Sequence, residues 1–166
     1  RYMDRAFADA RLHGISREPV VEMLIPSMLD DSLAPPGAHV ASLFCQHFDY
    51  HLPDGRSWQD DAERDAAADL VIDTIERVAP GFRGSVIARS ALSPLDLERR
   101  FGLAGGDIFH GALGLDQLWA ARPALGYGDY RTPVRGLWLC GSGAHPGGGV
   151  TGLPGHNAAR AILARR

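Results

Sequence analysis

The sequence predicts an α+β fold, and three observations carry that expectation. Apolar residues recur at helical spacing in residues 2–13 and 58–79. Short apolar runs at 20–25, 39–48 and 84–92 are bounded by Pro, Gly and Ser. A short apolar run at 137–140 leads through a glycine loop into a final helical segment. The 166 residues suit one domain with a real core.

Composition narrows the function. Apolar residues make up 45% and charged residues 22%, as in ordinary globular proteins. The net charge of −3 gives no basic footprint for nucleic acid. No apolar run approaches the roughly 18 residues of a membrane span. The first residues, RYMDRAFADARLHG, read as a charged helix rather than a signal peptide, so a cytoplasmic location is expected. The chain opens on Arg1 inside a helical pattern, which reads as a piece of something longer. Cys45 and Cys140 form no CxxC pair and are expected as two buried, reduced thiols.

The elements follow in order. Met3, Ala6, Phe7 and Ala10 share a helical face, and Gly14 ends it. VVEMLI at 20–25 reads as a strand stopped by Pro26, and LAPPGAH at 33–39 as a loop. Residues 39–48 alternate, with Val40, Phe44 and Phe48 on one face and Ala41, Leu43 and Cys45 on the other. Both faces are apolar, so the strand is expected to be buried on both. Residues 58–79 form the clearest helix, with Ser57 as cap and Asp60 and Asp61 in the first turn. Its apolar stripe is Ala67, Leu70, Val71, Thr74, Ile75 and Val78, and Pro80-Gly81 ends it. GSVIARSAL at 84–92 reads as a further strand. Ser93, Pro94 and Asp96 then open a short helix that Gly102 closes. From Gly102 to Gly128 the chain is rich in glycine and aromatics, and reads as a folded loop covering something. The Met and aromatic positions are core by default. A coarse boundary falls near 123–133.

The last unit carries the functional signal. A strand, a glycine loop and a helix N-terminus together suit a charged or dipolar ligand. Free N–H groups point outward, and glycines let backbone come close without a Cβ. GSGAHPGGG is no Walker A, because Gly-Lys-Ser/Thr is absent, and its glycine spacing is a poor dinucleotide fingerprint. Gly148, Gly152, Gly155 and Ala159 would place small residues on one helical face. That face suits a flat ligand or equally a neighbouring helix. Pro154 fits if the helix begins around Thr151.

GLWLCGSGAHPGGGVTGLPGHNAARAIL resembles the C-terminal flavin-binding signature of the phytoene-desaturase-like FAD oxidoreductases. GGDIFHGALGLDQLWAARP resembles the segment that precedes the final strand in that superfamily. IPSMLDDSLAPPGAHV and SPLDLERRFGLAGGDIFHG are most similar to the subgroup named for a pyridine nucleotide-disulfide oxidoreductase domain.

That resemblance implies a longer protein with an N-terminal G-x-G-x-x-G unit for FAD, which this sequence lacks. Residues 1–128 would belong to the substrate domain, with its mostly antiparallel sheet, helices and covering loop. Residues 129–166 would supply the last strand, glycine loop and helix of the Rossmann-like FAD domain. Gly141, Ser142 and Gly143 would lie near the pyrophosphate and ribityl chain. Gly148, Gly149 and Val150, at the helix start, would face the pyrimidine edge of the flavin, with His145 structural or adjacent to it. The implied activity is hydride transfer (dehydrogenation, desaturation or isomerisation) on an apolar small molecule. No catalytic acid or base is forced. His110 is the one weak candidate for a substrate-side group. His47 and His51, four apart in a strand and turn, do not suit a metal. Asp116 and Gln117 are expected to tie the loop.

The stretch alone would then be inactive, would hold FAD weakly or not at all, and would self-associate through bared apolar surface. A binding or scaffold module with a vestigial flavin site is the alternative. A free-standing nucleotide-binding domain would need a first strand and phosphate turn that are missing.

Overall fold

The computed structural model describes residues 1–164. Its contacts divide the chain into two units, one ending at Leu97 and the other running from Glu98. The expected division at 128/129 is of another kind, since it assigns stretches to domains of a longer protein.

The first unit is α+β. Helix α1 (Tyr2–His13) ends at Gly14, whose φ is 77° and whose N–H donates to the Ala10 carbonyl at 2.7 Å. A Cβ at Gly14 would meet Pro53 Cδ at 2.5 Å, so both conformation and space demand glycine there. Strands β1 (Ile15–Leu24) and β2 (Ser42–Phe48) pair antiparallel in register Val20↔Gln46 to Leu24↔Ser42. The register shifts between Ile15 and Val20, beside Pro19, and His47 opposite takes φ 75°. β1 begins five residues earlier than expected because this bulge lets Pro19 sit inside it without a ladder bond. The link from β1 to β2 makes two 3-10 turns, Pro26–Met28 and Asp31–Leu33.

Helix α2 (Asp61–Glu76) starts later than expected. Its cap is Asp60, which accepts from the Ala62 N–H at 2.9 Å, whereas Ser57 accepts from Gln59 in the turn before. The helix buries Val71, Ile72 and Ile75, while Val78 lies beyond its end and is exposed. Each buried aliphatic side chain contributes about 1.5–3 kcal/mol. Ala6 and Ala10 of α1, Ile15 and Trp58 complete this unit's core, and the Trp58 indole donates to the Asp49 carbonyl at 2.8 Å.

Residues 84–92 are not the expected strand. Gly81 (φ 94°) starts a single turn, α3 (Phe82–Ser85), and the following residues run unpaired. Side chains hold this segment in place. Arg83 donates to Asp69 at 3.1 Å and to Asp73 at 2.6 Å, and Arg89 reaches Asp69 at 2.7 Å. The Glu76 carboxylate accepts from the Gly81 and Arg83 N–H groups, both at 2.7 Å. With its arginines spent on α2, the segment lies along a helix rather than in a sheet.

Helix α4 (Pro94–Phe101) opens as expected. Ser93 Oγ accepts from the Asp96 N–H at 3.2 Å, and the Asp96 carboxylate accepts from Ser93 N–H at 2.9 Å and from its hydroxyl at 2.7 Å. This reciprocal box satisfies two donors at the helix start. Gly102, at φ 68°, closes the helix.

The second unit is mostly turns, including 3-10 turns at Ala104–Gly106, Leu115–Gln117 and Trp119–Ala121, as the glycine content implied. The expected strand at 137–140 is reduced to one bridge, Arg131↔Trp138. Leu137 and Cys140 are exposed, since no neighbouring strand among the described residues takes them. The final helix, α5, is Leu153–Leu163 and buries Pro154 and Ala158. It starts after Gly152 (φ 70°) because Pro154 fits only in a first turn. Gly148 and Gly152 therefore lie outside it, and only Gly155 and Ala159 of the expected small-residue face are helical.

Several side chains expected inside lie outside. Met3, Phe7, Met28, Phe101 and Trp119 are exposed. Cys45 is half-buried, which pushes its thiol up to about 11, and Cys140 is exposed. No helix of the described residues is long and apolar enough to cross a membrane.

Candidate functional site

The glycine loop is organised by a residue the motif does not include. Arg122 is 2% exposed. Its Nη2 donates to the carbonyl of Ser142 at 2.8 Å, of Phe109 at 3.1 Å and of His110 at 3.3 Å, and its Nε reaches Ser142 O at 3.3 Å. No ion pair to a carboxylate is formed by Arg122 among the described residues. A buried charge is costly unless hydrogen-bonded, and here three carbonyls surround it. The guanidinium thus pins the 109–110 backbone and the glycine loop to one point. One signal was legible beforehand: no Lys or Arg stands between Arg100 and Arg122, so a lone cation enters an apolar, glycine-rich stretch.

Around that point the loop is fixed by further bonds. His145 Nδ1 accepts from the Trp119 N–H at 3.1 Å, so this nitrogen carries no proton. The His145 carbonyl accepts from Tyr130 Oη at 3.1 Å, and the Tyr130 carbonyl accepts from the Leu139 N–H at 2.7 Å. Gln117 ties its loop to the Pro123 carbonyl at 3.2 Å, as expected. Ala144 and Gly147 are buried beneath the loop. At Gly128 a Cβ would stand 2.7 Å from the Ala120 backbone, so glycine is required for the chain to fold over itself there.

The outer surface of the loop differs. Gly141 and Gly143 have ordinary negative φ, and a Cβ at either would meet nothing within 4 Å. Nothing in this chain therefore demands glycine at these two positions. Gly149 takes φ 120° and Val150 φ 57°. A β-branched residue in the left-handed region is strained, and Val150 is fully exposed. Among the described residues, the N–H groups of Gly148, Gly149 and Val150 donate to no protein acceptor.

The expected role of α5 changes. Gly148, Gly149 and Val150 precede its first turn by several residues instead of forming it. In that first turn, Leu153 N–H is taken by Thr151 Oγ1 at 3.2 Å and Pro154 has none, which leaves Gly155. The helix terminus offers fewer donors than the sequence suggested.

His110 is exposed at φ 56°, and it is the His110 carbonyl, not its ring, that meets Arg122. The structure thus brings Ser142, His145 and the His110 backbone together through Arg122, Trp119 and Tyr130.

No family model matches the chain. The chain is 55% identical over 161 residues to pyridine nucleotide-disulfide oxidoreductase domain-containing protein 2 of Mus musculus, which covers 97% of this chain and 28% of the mouse protein. The chain is homologous to a C-terminal stretch of that protein. The Rattus norvegicus protein of the same name is 54% identical over the same span. A 4,4'-diapophytoene desaturase of Staphylococcus aureus is 27% identical over 139 residues, 82% of this chain and 27% of the desaturase. The chain thus spans little more than a quarter of the length of the relatives it matches. These relatives are, by name, an oxidoreductase-domain protein and a desaturase.

Proposed function

We propose that this chain is the flavin-facing C-terminal part of an FAD-dependent oxidoreductase that acts by hydride transfer on an apolar small molecule. The observation that carries the reading is the open backbone of Gly141 to Gly143, held from beneath by Arg122. Neither φ nor packing within the chain explains glycine there. A ligand lying flat against the backbone does. The strained Val150 and the unpaired donors at Gly148 to Val150 support a ligand at this loop. The homology to oxidoreductases gives that ligand a chemical class.

The residues present fit FAD. Gly141, Ser142 and Gly143 would hold its pyrophosphate and ribityl portion. Gly148, Gly149 and Val150 would donate to the pyrimidine edge, with His145 fixing the loop. FAD, when bound, supplies hydride acceptance. The chain's own part is to orient the cofactor, to donate to its electron-rich edge and to place one buried positive charge behind the loop. The rest of a longer polypeptide would supply the remaining FAD contacts, and dehydrogenation, desaturation or isomerisation would be the reaction. His110 is not assigned a chemical role, because its ring makes no described bond within the site.

The reduced donor set of α5 favours a second reading, in which the loop binds no flavin and the chain serves as a scaffold. Gly143→Val in the intact protein decides between them. Its added side chain enters open space in the chain alone, so folding should hold. FAD affinity by fluorescence titration should fall about tenfold or more. Unchanged affinity, or no FAD binding before the change, would support the scaffold.

A further inference from the structure

Arg122 carries more charge than its structural task needs. The carbonyls of Phe109, His110 and Ser142 take its bonds, and a neutral amide could donate to carbonyls as well. The residue is 2% exposed, and burying a charge without a counter-charge costs far more than burying a bonded neutral donor. No carboxylate answers it among the described residues. Asp107, on the adjoining loop, accepts instead from the N–H groups of Phe109 at 2.8 Å and Gly111 at 2.7 Å. A buried cation kept without an anion of its own points to an anion supplied by a ligand.

The charge also adjoins both stretches of loop that the functional reading gives to FAD. Its Nη2 is 2.8 Å from the Ser142 carbonyl, between Gly141 and Gly143. Its Nε is 3.9 Å from the point that a Cβ on Gly147 would occupy. Gly147 stands one residue before the unpaired donors of Gly148, Gly149 and Val150. Inside a protein the effective dielectric is about 20 rather than the 80 of water, so a charge so placed acts on a nearby anion with little screening.

We propose that Arg122 tunes the flavin: its buried guanidinium, bonded to Ser142 and set beside Gly147, holds reduced FAD more tightly than oxidised FAD and so raises its reduction potential. This rests on the flavin reading and goes beyond it. The charge balance gives the direction. A hydride leaves the substrate carbon with its electron pair, so the substrate loses two electrons and a proton. FAD gains the same two electrons and proton, and with them one negative charge. A fixed positive charge favours the more negative form, which makes hydride removal from the substrate more favourable. The pyrophosphate bears the same charge in both states. A cation that served the pyrophosphate alone would strengthen both forms equally and leave the potential unmoved. Arg122 is thus a positioning and tuning residue, with no contact to the reacting atoms required.

Reductive titration of the intact, FAD-loaded protein tests it, read by absorbance against reference dyes of known potential. The bound cofactor should have a midpoint potential above that of free FAD in the same buffer, a comparison that needs no variant. Arg122→Gln keeps amide donors and removes the charge. Its potential should fall by about 30 mV or more, a tenfold loss of preference for the reduced form in a two-electron couple. Arg122→Lys keeps the charge and loses the planar fork, so its potential should stay near the parent's even where FAD binds less tightly. Where Arg122→Gln does not fold, the parent and Arg122→Lys decide. A bound potential at or below that of free FAD would overturn the proposal. So would an Arg122→Gln potential equal to the parent's, or a fall of 30 mV or more in Arg122→Lys. An intact protein that binds no FAD sinks the flavin reading and this proposal together. A flavin-loaded protein whose potential ignores the charge sinks this proposal alone.

Discussion

The Arg122 guanidinium and the Ser142 carbonyl meet at 2.8 Å, and this contact joins a buried charge to the middle of the glycine loop. Three carbonyls share that charge, so its removal leaves several acceptors without a partner. Arg122→Met should lower stability by about 2–4 kcal/mol, read as the midpoint shift in denaturant unfolding. Arg122→Lys should recover only part of the loss, because an ammonium lacks the planar fork. A stability unchanged by Arg122→Met would show that the loop is held otherwise.

The Ser93–Asp96 box offers a local check. Ser93 is 4% exposed and both bonds are formed. Ser93→Ala should cost about 1 kcal/mol in thermal or chemical unfolding, while Ser93→Asn should cost less. Equal losses from the two changes would mean that burial, not capping, decides the site.

Acid should loosen the segment after α2. Bonds from Arg89 first and Arg83 second lower the Asp69 carboxyl from 3.8 to about 2. A depressed carboxylate stabilises the fold above its unfolded value, and that contribution fades as pH falls from about 3.8 toward 2. Unfolding followed across this window should show Asp69→Asn with a shallower acid dependence than the parent. Salt should also weaken the pairs, since all three groups are solvated.

The sequence revealed elements wherever local chemistry decides them. Helix α1 with Gly14, the Ser93–Pro94–Asp96 start and the turn at Pro80-Gly81 each depend on residues a few positions apart. Where distant partners decide, it misled. Residues 84–92 have strand-like composition, but Arg83 and Arg89 find Asp69 and Asp73 and tie the segment to a helix. Residues 137–140 read as a strand, yet only Trp138 finds a bridge. At the candidate site, the motif located the loop but not what holds it. Arg122 lies outside the motif, and its role depends on backbone carbonyls that no sequence pattern displays. The small-residue face was overdrawn because Pro154 delays the helix past Gly148 and Gly152.

The most direct test of the central claim is the visible absorption spectrum of the intact protein that carries this chain, as purified and after addition of FAD. The account predicts flavin bands that survive gel filtration, markedly weaker bands for Gly143→Val, whose side chain enters open space, and little or none for this chain alone. An intact protein without flavin bands even after reconstitution would contradict it.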